Sequence, residues 1–265
     1  MRARVAGLSL RIPSTVAGRR AFVHAATDVS LSLEAGRVHA LVGESGSGKS
    51  MLASTLTGLL PAGTSVRGTV EVDGRDVTAS LTRPRDRVWT ELRGHVVGVV
   101  PQSAATSFTP TRTIGRQLEE TVIALGGALD AERLASAAHL PSWALEAYPH
   151  ELSGGLAARA GLAGALAGQP SILLADEPTA SLDPALSAQV LGLLRAQADG
   201  GVAVLLITHD LAGLLDGGWA DDVSVMHDGR LVEQGVAGQV LERPEHPYTR
   251  TLLDALPRNW AAVAR

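Results

Sequence analysis

Eight consecutive residues, Gly43-Glu44-Ser45-Gly46-Ser47-Gly48-Lys49-Ser50, carry the spacing G-x-x-x-x-G-K-[ST]. Glycine there lets successive backbone N–H groups turn inward around phosphate oxygens, and a helix opening at the end of the run adds about half a positive charge at its N-terminus. Lys49 is placed to reach the β- and γ-phosphates of a nucleoside triphosphate, and Ser50 to ligate Mg²⁺. The run follows the apolar stretch Val38–Val42 and leads through Met51 into a helical pattern that Gly58 ends. That strand–loop–helix setting is what gives the spacing its meaning. A glycine turn that is merely tight is the plain alternative, and it leaves a lysine and a serine in register unexplained.

A second group lies in SILLADEP, residues 171–178. Its apolar residues read as a strand of the sheet interior, with Asp176 emerging at the carboxyl end, where ligands of parallel sheets bind. Asp176 is the expected partner of Mg²⁺ through water, and Glu177 can polarise an attacking water. Phosphoryl transfer needs charge neutralisation and positioning, so these two carboxylates beside a phosphate cradle suffice. By itself the Asp-Glu-Pro run reads equally well as a helix cap. His209, in ITHD, ends another apolar stretch, from which an imidazole could bond the γ-phosphate and hold Glu177; alone it would be an ordinary loop histidine. ELSGGLAARAG, residues 151–161, is a further helix start without lysine, whose local reading is a helix capped by Ser153.

Positioning these groups calls for strands alternating with helices, hence an α/β protein with a mostly parallel sheet. Strand character recurs at 38–42, 95–100, 171–176 and 202–208, and hairpins turn at Asp73-Gly74 and Asp228-Gly229. Between about 105 and 165 the pattern is helical, over TIGRQLEETVIALGG, PSWALEAY and the 151–161 stretch, which places a helical insertion between the third and fourth central strands. A formal net charge of -4 gives no electrostatic grip on nucleic acid. With no cysteine there is no disulfide, thiolate metal site or cysteine nucleophile. The N-terminus lacks the apolar core of a signal peptide, and no run reaches the roughly 18 apolar residues of a membrane span.

Taken in order, GESGSGKS, Gln102 in VVPQSAATSFTP, ELSGG, ILLADEP, SLD at 181–183 and THD resemble the ATP-binding subunit of ABC transporters, over about residues 20–257. The resemblance implies a P-loop NTPase (RecA-like) core over about 20–104 and 166–235, with an N-terminal antiparallel β subdomain. It also implies a helical subdomain over about 105–165 and a family-specific C-terminal segment, 236–265. ATP and Mg²⁺ are the implied cofactors, with Gln102 joining Ser50 and Asp176 around the metal. Two such subunits would bind ATP between them, so Ser153, Gly154, Gly155 and Asp183 would contact the nucleotide held by the neighbour. An aromatic stacking on adenine is expected upstream of the first strand, and Phe22 is the nearest. The family usually continues after LSGG with glutamine or methionine and further polar residues; this chain reads Leu156-Ala157-Ala158-Arg159.

Within the family the tail ERPEHPYTRTLLDALP, residues 242–257, resembles the dipeptide, oligopeptide and nickel importers. That branch implies two membrane-embedded permeases, a second and different ATP-binding subunit, an extracytoplasmic solute-binding protein, and a place on the cytoplasmic face of the membrane. Many of its members carry a cysteine-bearing extension, so a chain lacking cysteine is expected among the shorter, nickel-type or stand-alone subunits. Two alternatives share the motifs: a soluble ATPase of a multi-enzyme complex like that of carbon–phosphorus lyase, and a regulatory nucleotide-binding subunit.

Overall fold

The computed structural model describes residues 1–16, 19–180 and 182–256. In chain order the elements are β1 (Ala3–Val16), β2 (Arg19–Leu33), β3 (Val38–Val42), α1 (Lys49–Thr55), β4 (Ser65–Val72) and β5 (Arg75–Asp76). There follow α2 (Arg87–Leu92), β6 (Val97–Val100), α3 (Ala104–Ser107), α4 (Ile114–Ala124), α5 (Ala131–Ala137) and α6 (Gly154–Ala165). The last third holds β7 (Ile172–Asp176), α7 (Pro184–Asp199), β8 (Ala203–Thr208), α8 (Leu211–Gly217), β9 (Asp222–His227), β10 (Arg230–Val236), α9 (Ala237–Glu242) and α10 (Pro247–Asp254). The strands make an antiparallel sheet ordered β2-β1-β4-β5 and a six-stranded sheet ordered β10-β9-β3-β8-β7-β6. In the larger sheet all neighbours run parallel except the β9–β10 hairpin.

Period-two alternation explains how the larger sheet becomes the middle layer. On β3, Val38, Ala40 and Val42 face one core, and Leu41 faces the other. On β8, Val204 and Leu206 face the first and Ala203, Leu205 and Ile207 the second. The first core is closed by α4, α5, α6 and α7, through Ile114, Leu134, Leu162 and Leu194. The second is closed by the antiparallel sheet with α1 and α2, through Leu8, Leu10, Leu52 and the wholly buried Trp89. Each such leucine contributes about 1.5–3 kcal/mol by leaving water. Strands buried on both faces are therefore pinned in register, and their carboxyl ends are pinned with them.

Three sequence expectations are corrected. The 69–77 hairpin pairs with β1 in the antiparallel sheet, so the helical insertion follows the second strand of the parallel sheet, β6. PSWALEAY forms only a 3-10 turn, Ser142–Leu145, because Pro141 is extended before it and Glu146 closes it after four residues. The 95–100 strand starts at Val97, as the Val96 N–H is taken by the carbonyl of Leu92. Both hairpin turns sit where expected: Asp228 and Gly229 have φ of 44° and 75°, the paired left-handed values such a turn needs. Among the described residues no helix is long and apolar enough to cross a membrane.

Candidate functional site

The phosphate loop leaves the carboxyl end of β3 and is pressed between two neighbours. Gly43 has φ 148°, and a Cβ there would lie 2.1 Å from the carbonyl oxygen of Met226 on β9. Gly48 has φ 108°, and its Cβ would lie 2.1 Å from the carbonyl oxygen of Ala25 on β2. Only glycine fits either position. No side chain caps the first turn of α1, so its amides are not consumed by a protein partner. Lys49 is buried, and its Nζ donates to the carbonyls of Gly43 and Glu44, each at 2.8 Å. Burial lowers the Lys49 pKa, while Glu177, Asp176 and Glu44 pull it back up.

Strand β7 delivers the carboxylates. Asp176 stands in register with Ile207 of β8, and its carboxylate lines the same cavity as the Ser50 side chain. Burial raises its carboxyl pKa, against the pull of Ser50 and Lys49. Glu177 departs from the strand in the left-handed region, φ 51°, where a non-glycine residue stores about 1–3 kcal/mol. Its N–H donates to the Ile207 carbonyl at 2.9 Å, which holds the strained backbone. The turn sends the carboxylate, 14 % exposed, to the Nδ1 of His209 at 2.7 Å. Lys49, Ser50, Gln102, Asp176, Glu177 and His209 thereby line one cavity of about 610 Å³, with Ser45, Gly46, Gly48 and Met51 on its wall.

Ser50, Asp176 and Gln102 offer hard oxygens, and among the described residues no group of three His, Cys, Asp or Glu could hold a metal unaided. That combination fits Mg²⁺, which protein sites hold by one or two carboxylates together with phosphate oxygens and water.

Phe22 is corrected. It is 56 % exposed and does not line the cavity; its ring lies under the Arg11 guanidinium, 5.7 Å away. Ile12 and Val23, directly paired across β1 and β2, line the wall instead, with His24 and Ala25. Those four wall residues were missed, since their only sequence signal is a place on a strand whose register is set from far along the chain.

The remaining site residues lie elsewhere. Ser153 caps α6, its Oγ accepting from the Leu156 N–H at 3.4 Å. Asp183 caps α7, accepting from the Leu186 N–H at 2.9 Å. The two caps are neighbours: Cβ atoms on Gly154 and Gly155 would meet Leu182 at 3.1 Å and Leu186 at 3.0 Å. Ser153, Gly154 and Asp183 are exposed and do not border the phosphate cavity. Ser181 lies outside the described residues, as do 257–265 of the C-terminal segment. After the cap, Ala157 and Ala158 are buried, and Arg159 bonds the His139 carbonyl at 3.1 Å and the Gln189 side chain.

A glycine phosphate loop and two carboxylates at the carboxyl edge of one parallel sheet define a P-loop NTPase. The model of the ABC transporter family matches residues 26–180, and that of the oligopeptide/dipeptide transporter C-terminal region matches 232–264. The chain belongs to the ABC transporter family, as an ATP-binding protein. It is 38 % identical over 251 residues to the probable peptide ABC transporter ATP-binding protein y4tR of Sinorhizobium fredii, covering 91 % of this chain and 73 % of that protein. It is 40 % identical over 240 residues to the oligopeptide transport ATP-binding protein AmiE of Streptococcus pneumoniae, covering 87 % and 66 %. The chain thus spans about two thirds to three quarters of the length of these relatives. The ATP-binding cassette MJ0796, solved as a dimer bound to ADP and Pi, superposes with a TM-score of 0.72 at 24 % identity, over 89 % of this chain and 98 % of that one. That likeness is one of fold.

Proposed function

We propose that this chain binds and hydrolyses ATP to drive import of peptide or a related small solute through partner permeases. The observation that carries the reading is the single cavity joining Lys49, Ser50, Asp176, Glu177 and His209. The loop amides and Lys49 hold the phosphates. Ser50, Asp176 and Gln102 would hold Mg²⁺, which would neutralise phosphate charge when bound. Glu177 orients the attacking water, and His209 fixes the Glu177 carboxylate through the 2.7 Å contact. The C-terminal match and two relatives named for peptide transport favour peptide over nickel as cargo. They likewise favour an importer over a soluble enzyme complex.

Ser153, Gly154, Gly155 and Asp183 then serve a second ATP-binding subunit, of a different kind in this branch, whose own loop they face across a shared nucleotide. Two permeases and an extracytoplasmic solute-binding protein complete the assembly on the cytoplasmic face of the membrane. The permease contact falls on a groove of about 650 Å³ between β6, α4 and α6, with Val99, Phe108, Leu125 and Arg112 on its walls. Pro101, the neighbour of Gln102, is on the same wall, so a shift at Gln102 can reach it. The test is purification from membranes followed by peptide uptake in vesicles. Co-purification with membrane-spanning subunits and loss of uptake in Lys49→Ala support the reading. Co-purification with soluble enzyme subunits alone would overturn it.

A further inference from the structure

The tail after β10 reaches back to the phosphate loop. Glu233 on β10 accepts the backbone N–H groups of Glu245 and His246 at 2.8 and 3.0 Å. His246 caps α10, its Nδ1 accepting from the Tyr248 N–H at 3.2 Å. These bonds aim Tyr248 inward, and its ring lies on the His227 imidazole at the end of β9, centroids 3.8 Å apart and planes inclined by 28°. Two residues further on, the β9–β10 turn is tied to the loop, the Gly229 N–H donating to the Ser47 carbonyl at 3.0 Å. On the other side of His227, the Met226 carbonyl is the group pressed against Gly43. The Tyr248 hydroxyl is sealed from solvent and faces the backbone of Glu44, the second residue of the loop, without completing a hydrogen bond.

We propose that Tyr248 is a positioning residue for the phosphate loop: it braces the loop from behind, through the His227–Gly229 turn and the Glu44 backbone. The amides on the opposite side of the loop are thereby held in the shape that a triphosphate needs. Because a buried hydroxyl without a partner is unfavourable, the brace as proposed includes a bond to Tyr248 that Glu44 completes when a nucleotide seats the loop. The proposal rests on reading the cavity as an ATP site. It also assigns a task to the His-Pro-Tyr-Thr run, residues 246–249, beyond packing. Thr249, 1 % exposed, buries the adjoining face of the helix.

The test is equilibrium titration of the full chain with a fluorescent ATP analogue, alongside kcat and KM for hydrolysis in the assembled complex. Tyr248→Phe keeps the ring on His227 and removes the hydroxyl, and should weaken nucleotide affinity about threefold. Tyr248→Ala removes both and should weaken it about tenfold, raising KM while leaving kcat near the wild-type value. Leu253→Ala loosens α10 against the core without touching the loop, and should bind nucleotide like the wild type. Wild-type affinity in Tyr248→Ala, or an equal loss in Leu253→Ala, would overturn the brace. If Tyr248→Ala fails to fold, Tyr248→Phe decides: reduced affinity upholds the proposal and unchanged affinity overturns it. A wild-type chain that binds no analogue would instead overturn the ATP site itself.

Discussion

In the proposed function, Glu177 concentrates the chemistry in one strained residue. Its left-handed backbone and the His209 contact together aim a mostly buried carboxylate at the cavity rather than along the strand. Glu177→Gln keeps the shape and the hydrogen-bonding capacity but not the charge. It should bind ATP normally and lose about 10²–10⁴-fold in hydrolysis, measured as phosphate release under single turnover. Asp176 carries an opposite kind of cost. Burial raises its carboxyl pKa, so the folded chain binds that proton more readily than the unfolded one. The resulting stability is full below the unfolded value, about 4, and is lost as pH rises through the folded value. At neutral pH the ionised carboxylate therefore destabilises the protein. Asp176→Asn should raise the Tm by a few degrees in Mg²⁺-free buffer while abolishing Mg²⁺-dependent hydrolysis. A lowered Tm would contradict the assigned cause.

Elements decide what a residue can reach. The loop's fit between β2 and β9 leaves no room for a side chain at Gly43. Gly43→Ala should cost several kcal/mol in chemical denaturation and abolish nucleotide binding, since the loop or β9 must move (about 1–3 kcal/mol for overpacking alone, with strain added). At the other helix start, Ser153→Ala should remove a cap worth about 1 kcal/mol and impair hydrolysis at the partner's site. This chain's own ATP affinity should stay near the wild-type value, which separate titration of each site in a mixed complex would measure. Local signals made both starts legible, because a phosphate loop and an N-cap are each written within a few residues. That Phe22 stands outside the cavity lining was illegible for the converse reason. The face of β2 that meets the cavity depends on its pairing with β1, where Ile12 stands opposite Val23, and no window around residue 22 encodes that. PSWALEAY misled in the same way, since its apolar content is used by packing against α4 and α5 rather than by an α-helix of its own.

At the scale of the molecule, the phosphate cavity and the Ser153–Asp183 corner lie on separate parts of one chain. The pattern of alternating strands and helices made the layered core readable, as Val38–Val42 and 202–208 could only be interior strands. The tail's return to the loop was unreadable, since Tyr248 and Glu44 are brought together only by the β9–β10 hairpin and the Glu233 bonds. In the proposed function, neither of two shared ATP sites is complete within this chain. The most direct test is the rate of ATP hydrolysis by the isolated chain at concentrations where sedimentation shows a monomer, compared with the assembled complex. A negligible monomer rate that rises on assembly is the expected result. Full hydrolysis by a strictly monomeric chain would contradict it.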